Sequence, residues 1–246
     1  MRTSYLSLFK SEHSFFVNVN RTIFSSQVVI SHEKNPIESQ LPANVTQERG
    51  VKAMTRDSVI YKDGTEEKAD VLMLCTGYRY SFPYLSDECA VKIKDERITP
   101  LYKHIIHTKY PTMSFIGMCK IICPFPQFDT QVRFVMSTLD GSQVLPSTGE
   151  MDLDTTDDFT RRLSEGLPTR YAHFMGPKQW GYNDTLAKLA GFDPIPRAIQ
   201  NLYDEVHRTR VKDLPNYKNK HYRITGEETY EEIDELRRSQ PSAASV

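Results

Sequence analysis

Asp70-Val-Leu-Met-Leu-Cys-Thr-Gly-Tyr78, continuing as Arg79-Tyr-Ser-Phe-Pro-Tyr-Leu85, decides how the rest of the chain is read. Val71–Cys75 is a short apolar run, the length of a strand buried on both faces and too short for a helix. Thr76-Gly77 ends it abruptly, and Pro83 blocks an early restart of regular structure. A buried strand that stops at a small, sterically permissive pair is how open α/β sheets bring backbone close to a ligand. The pattern therefore predicts an α/β fold with a binding region just past Cys75.

Upstream, Gln27-Val-Val-Ile-Ser-His-Glu33 reads as a buried strand followed by polar residues, as in the second strand of a nucleotide-binding unit. Asn35-Pro36 turns the chain, and short strands are predicted at Leu41–Val45 and Gly50–Met54. Ser58–Lys62, then Asp63-Gly64, then the run to Cys75 is a hairpin pattern, with Asp-Gly suited to a type I′ turn. Residues 1–26 stay unassigned: Phe15, Phe16, Val17, Val19, Ile23 and Phe24 permit a short strand or hairpin but show no clean period.

Downstream, Ile98–His104 and Tyr110–Gly117 read as extended segments. In Cys123-Pro-Phe-Pro-Gln-Phe-Asp-Thr-Gln-Val-Arg133 two prolines disfavour helix before Gln127, and Asp129 offers an N-cap for a helix to about Asp140. Val132, Val135, Met136 and Leu139 fall at helical spacing and are expected to face the core, with Gly141 as the stop. Helices follow at Met151–Glu165, Lys178–Ala190 and Pro196–Val211, and a small polar tail from Gln240 is expected to fray.

Composition narrows the function. The formal charge of −1 gives no strong attraction to nucleic acid or an anionic membrane. No apolar run reaches bilayer length, and Lys10, Glu12 and His13 end the run Tyr5–Phe9 too early for a secretory signal, so a cytoplasmic location is expected. Cys75, Cys89, Cys119 and Cys123 show no Cys-x-x-Cys spacing and read as reduced thiols. His104 and His107, three apart in an extended segment, point to opposite faces, so no metal site is expected there. Trp180 with Tyr171, Phe174 and Tyr182 reads as a packing cluster.

From about Gln27 to Glu232 the order of short motifs resembles the C-terminal half of insect-type flavin-containing monooxygenases, the senecionine N-oxygenase-like group. The resemblance rests on Ser31-His32, Asp63-Gly64, Asp70–Tyr78, Tyr80–Pro83, Leu101-Tyr-Lys-His104, Tyr110-Pro-Thr112 and Phe115-Ile-Gly117. It continues through Pro124-Phe-Pro126, Phe128-Asp129 with Gln131, and Tyr182 with Asp184. It implies FAD and NADP as cofactors and the NADPH- and oxygen-dependent oxygenation of a small amine or sulfide. The cofactor would carry the chemistry, so no catalytic side chain of the protein is expected.

By the same resemblance, Thr76, Gly77 and Tyr78 lie at the crossing between the NADP and FAD regions. Phe128 and Gln131 would contact the flavin region, while Ser31, His32 and Lys34 would approach the NADP 2′-phosphate. Members of the family carry two Gly-x-Gly-x-x-Gly loops; here no two of the eleven glycines are separated by a single residue. The expected fold is thus a partial two-dinucleotide-binding-domain flavoprotein: Rossmann-like strands plus a helical C-terminal part, lacking both Gly-rich loops. Residues 27–78 would be the remnant of the NADP-binding region, 79–145 the return to the FAD-binding region, 146–239 helical and 240–246 a tail. A catalytically inactive remnant serving as an interaction or structural module, or a truncated gene product, are the alternative readings.

Overall fold

The computed structural model describes residues 14–18, 27–31, 45–75 and 78–233. The expectations placed on His32, Lys34, Asn35-Pro36, Thr76, Gly77 and the tail from Gln240 lie outside those residues. The chain divides into two compact units, one holding the first seven strands with Glu205–His221, the other Arg79–Asp204 with Tyr222–Ile233.

In the first unit, β1 (Ser14–Asn18), β2 (Gln27–Ser31), β3 (Val45–Arg49) and β7 (Val71–Cys75) form a sheet of order β3-β2-β1-β7. β2 and β3 are parallel, with Gln27 opposite Val45. β1 runs antiparallel to both β2 and β7, so the sheet is mixed and not uniformly parallel. β1 comes from the segment that the sequence left unassigned. Among the described residues β7 stands at the end of the order, and Val71 at its start is 53% exposed, so the expected burial on both faces does not hold at that position.

The second sheet of this unit is β4 (Val51–Met54), β5 (Ser58–Tyr61) and β6 (Glu66–Lys68). β5 pairs with β6 and not with β7, so the hairpin is shorter than the sequence suggested. Its turn also differs in type. Gly64 has φ +94° while Asp63 is not in the positive-φ region, Gly64 N–H donates to Tyr61 O at 3.1 Å, and Tyr61 N–H to Thr65 O at 2.9 Å. This is a three-residue loop, a type I turn completed by a left-handed glycine, in place of the expected type I′.

The second unit opens with the hairpin β8 (Lys92–Lys94) and β9 (Arg97–Thr99), then β10 (Leu101–Tyr102) and β11 (Ile106–His107). Tyr110–Gly117 is not a strand: within it only Ser114 makes a bridge, to Ile106. The helices are α1 (Pro124–Leu139), α2 (Thr148–Ser164), α3 (Gln179–Ala190) and α4 (Arg197–Lys212), the last contributing to both units. β12 (His221–Ile224) and β13 (Tyr230–Ile233) form a hairpin inside the stretch expected to be helical. α2 begins on a capping box, Ser147 with Glu150, and α3 ends on left-handed Gly191.

α1 holds the largest local correction. It starts at Pro124, with Cys123 as N-cap and exposed Asp129 in its second turn. Prolines in a first turn give up no helical hydrogen bond, since those N–H groups have no intrahelical partner, and their φ is already helical. The buried face is Gln127, Thr130, Gln131, Phe134 and Ser137. Val132, Met136 and Leu139 are 45%, 54% and 56% exposed, so three of the four residues expected to face the core do not. Partners decide the face: Phe134 joins Tyr102, Ile105, Ile106, Met151 and Leu186 in the core of this unit, and the Gln131 amide beside it meets polar groups. Burying each side chain of that size contributes about 1.5–3 kcal/mol.

Candidate functional site

Gln131 has no solvent exposure, and its amide is engaged on every side. Oε1 accepts from Gly117 N–H at 2.9 Å, while Nε2 donates to Tyr182 Oη at 3.0 Å and to Cys119 Sγ at 3.6 Å. Tyr182 in turn donates to Lys103 O at 2.8 Å. One side chain thereby ties α1 to the 115–119 loop and, through α3, to the Lys103 turn. Gly117 has φ +81°, a conformation that favours glycine, and a Cβ there would sit 3.2 Å from the Phe128 ring and press on it. Phe128 and Gln131, one turn apart on α1, therefore grip the same glycine from two sides.

Burial pushes the Cys119 thiol up to about 12 and the Tyr182 hydroxyl well above its ordinary range. Both stay protonated, so Cys119 is no nucleophile. The geometry makes Gln131 a positioning residue whose polar atoms all face protein. Ser31 closes β2 in register with Arg49, and Tyr78 is 98% exposed. Gly117, Cys119 and Tyr182 as partners of Gln131 were invisible in sequence, because their separations of 12 to 51 residues carry no periodic signal.

The second cluster lines a cleft of about 500 Å³ between β9–β10, α2 and α3. Lys103 and His104 both have positive φ, 51° and 61°, and make a type I′ turn without glycine. The turn, and not an extended segment, separates His104 from His107. His107 lies buried in β11, where its Nδ1 accepts from the N–H groups of Lys109 and Tyr110, each at 3.1 Å.

The ring protons of the two clustered histidines follow from one backbone amide. Ile98 N–H donates to His173 Nε2 at 2.9 Å, so that nitrogen is bare. Neutral His173 then carries its proton on Nδ1 and donates to His104 Nδ1 at 3.0 Å. The proton of His104 is left on Nε2, 3.3 Å from Asp158 Oδ2. Arg162, 4% exposed, donates from Nε to the same oxygen at 2.6 Å, and from its terminal nitrogen to Phe174 O. Arg162 Nη2 also lies 3.3 Å from His104 Nε2, but both atoms are donors, so that approach is not a hydrogen bond.

A proton added to either ring places two N–H groups face to face or challenges the Ile98 amide. Burial first, and then the neighbouring cations, hold His173 down to about 2, and burial holds His104 below its ordinary value. His104 and Arg162 hold Asp158 well below the usual carboxylate range, against its partial burial. The aromatic grouping expected around Trp180 divides three ways: Trp180 meets Tyr203 edge-on at 5.6 Å, Tyr171 meets Phe174, and Tyr182 meets His104. Their burial against different elements, not their closeness in sequence, decides the partners.

Residues 9–205 match the FMO-like family, described as flavin-binding monooxygenase-like, and the chain belongs to that family. The match begins inside the segment that the sequence alone left unassigned. The chain is 36% identical over 148 residues to flavin-containing monooxygenase FMO GS-OX-like 2 of Arabidopsis thaliana, covering 59% of this chain and 32% of that protein. It is 35% identical over 164 residues to FMO GS-OX-like 7 of the same plant, covering 65% and 35%. The chain thus spans about a third of the length of these relatives.

Among solved structures, S-allyl-L-cysteine S-oxygenase from Allium sativum superposes with a TM-score of 0.67 at 32% identity, over 75% of this chain and 43% of that one. Tmm from Pelagibacter sp. strain HTCC7211 shares the fold, with a TM-score of 0.67 at 24% identity over 85% and 47%. The family is one of flavin-dependent oxidoreductases that act on small molecules. No helix among the described residues is long and apolar enough to cross a membrane.

Proposed function

We propose that this chain carries the C-terminal part of an NADPH- and oxygen-dependent monooxygenase that oxygenates nitrogen or sulfur in small amines and sulfides. The family match over residues 9–205, together with the shared fold, carries this reading, and the S-oxygenase among the similar solved structures favours sulfur. FAD, when bound, supplies the redox chemistry. The residues here fit one edge of it. α1 begins with no side-chain cap and no acidic residue in its first turn, which leaves its positive end for an electron-rich partner. Phe128 and Gln131 fix the direction of that end by gripping Gly117.

Thr76, Gly77 and Tyr78 approach the cofactor by backbone in this reading, and Ser31, His32 and Lys34 supply donors and charge for the 2′-phosphate of NADP. The exposed apolar side of α1, Phe125 with Val132, Met136 and Leu139, supports a chain that is one part of a larger catalytic assembly. The pyrophosphate of FAD has no matching Gly-rich loop in this sequence, so the chain alone is expected not to retain flavin through gel filtration.

The test fuses the chain to the N-terminal half of a related monooxygenase and measures oxygenated product against NADPH consumed, with flavin content followed in parallel. Gln131→Ala should lower that ratio, because the N-terminal end of α1 loses its anchor. Gly77→Val should lower it further, because a branched side chain obstructs the backbone's approach. Full coupling in both variants, with flavin bound, would show that these residues do not serve the cofactor region.

A further inference from the structure

The cleft of about 500 Å³ beside the histidine cluster lies wholly within the second unit, and the function proposed above makes no use of it. Its lining carries charges of both signs, and nearly all of them are paired. Lys103 meets Asp154 at 2.5 Å, Arg162 meets Asp158 at 2.6 Å, and Lys178 meets Glu165. Arg161 bridges Asp158 and Glu165, the latter at 3.3 Å. Every carboxylate of the lining is thereby engaged.

Arg97 is the cation without a counter-charge. It opens β9, is half-buried, and its guanidinium lies 3.6 Å over the ring of Phe159, the residue after Asp158 on α2. Among the described residues no carboxylate pairs with it, and no acceptor takes a hydrogen bond from its side chain. Burial disfavours its charge, and the pull of Asp158 offsets only part of that. A guanidinium keeps its proton in a protein, so Arg97 stands as an unmatched charge withdrawn partly from water.

We propose that this cleft binds a small organic monocarboxylate, held by a bidentate pair of hydrogen bonds from the Arg97 guanidinium. The planar fork of arginine matches the two oxygens of one carboxylate. Asp154, Asp158 and Glu165 line the same cleft and repel a second negative charge, which disfavours a phosphate dianion. The volume falls in the range of small-ligand pockets. Stacking on Phe159 orders the guanidinium beforehand, so little side-chain freedom is lost when the ligand arrives.

The full chain is titrated by calorimetry at neutral pH with benzoate, with benzamide as its neutral counterpart, and with phenyl phosphate as the dianion. No flavin or NADPH enters the assay, so its outcome is independent of the monooxygenase reading. Benzoate should bind saturably and at least about tenfold tighter than either of the others, the worth of a charge-assisted hydrogen bond. Arg97→Gln should weaken benzoate to the level of benzamide without lowering the melting temperature, because it removes an unpaired, half-buried charge. Lys188→Gln, on the exposed side of α3 and outside this lining, should leave benzoate binding unchanged. The comparison of the three ligands on the native chain needs no variant to fold. Benzoate binding weaker than about 10 mM, equal affinity for benzamide, tighter binding of phenyl phosphate, or benzoate affinity that survives in Arg97→Gln would each overturn the proposal.

Discussion

Two tight turns in this protein solve the same geometric problem by opposite means. Lys62-Asp63-Gly64 reverses the chain with a glycine in the left-handed region, and a Cβ built on Gly64 would meet nothing within 4 Å. The turn is fixed by local chemistry. Lys103-His104 reverses the chain with two ordinary residues at positive φ, a conformation that costs about 1–2 kcal/mol per residue. Tertiary contacts offset that cost: Tyr182 holds Lys103 O, His173 and Asp158 hold the His104 ring, and Asp154 pairs with Lys103 Nζ at 2.5 Å. A turn that its own residues favour is insulated from the rest of the molecule. A turn imposed by distant partners is coupled to them.

The sharpest way to break this contrast is Asp158→Asn. It leaves Arg162 buried without a counter-charge and removes the anchor of His104, so stability should fall by about 3 kcal/mol, measured by urea unfolding at neutral pH. A loss below about 1 kcal/mol would mean that the Lys103-His104 turn does not depend on the cluster.

Acid should weaken the same region next. His104, His107 and His173 are held neutral by burial, so the unfolded chain binds more protons than the folded one below its own histidine pKa. Stability is therefore complete above about pH 6.5 and falls as pH drops, by up to about 1.4 kcal/mol per pH unit for each histidine. Between pH 6.5 and 5 the carboxylates add little, because Asp158 titrates lower still in the fold and near pH 4 when unfolded. His173→Leu should reduce the acid slope by about a third. It should also lower stability at pH 7, since Ile98 N–H loses its acceptor. An unchanged slope in that variant would show that His173 is not held neutral.

Gly64→Val should have the smallest effect, about 1 kcal/mol, arising from backbone conformation alone because the site is open. It should leave the pH dependence untouched, since none of the three buried histidines belongs to that unit. A shift in the acid slope would mean that the insulation inferred for this turn is wrong.

The same distinction separates what could be read in advance from what could not. The helices at Thr148–Ser164, Gln179–Ala190 and Arg197–Lys212 stand within a few residues of their expected bounds, because caps, breakers and a 3.6-residue period are local signals. The strands Gln27–Ser31 and Val71–Cys75 were legible as apolar runs, but their neighbours were not. Nothing in either run says that an antiparallel strand from residues 14–18 lies between them. On α1 the apolar spacing was real, yet it belongs to the exposed side, since Val132, Met136 and Leu139 are uncovered while Gln127 and Gln131 are buried.

For the candidate site, sequence singled out Phe128 and Gln131 for the flavin region but did not reveal the protein groups they meet. Gln131 faces Gly117, Cys119 and Tyr182, and Phe128 faces Gly117. The histidine cluster was hidden altogether, because His104 and His173 lie 69 residues apart and meet only when a strained turn meets the loop after α2.

The sequence by itself determined the α/β class, the helical segments and the flavin-monooxygenase resemblance, all of which depend on residue order and short-range preference. Only the tertiary structure decided which face of α1 is buried, which protons the two histidines carry, and why Lys103 and His104 stand at positive φ. Those are properties of partners brought together from far along the chain, and a side chain's environment is set by what packs against it rather than by what precedes it.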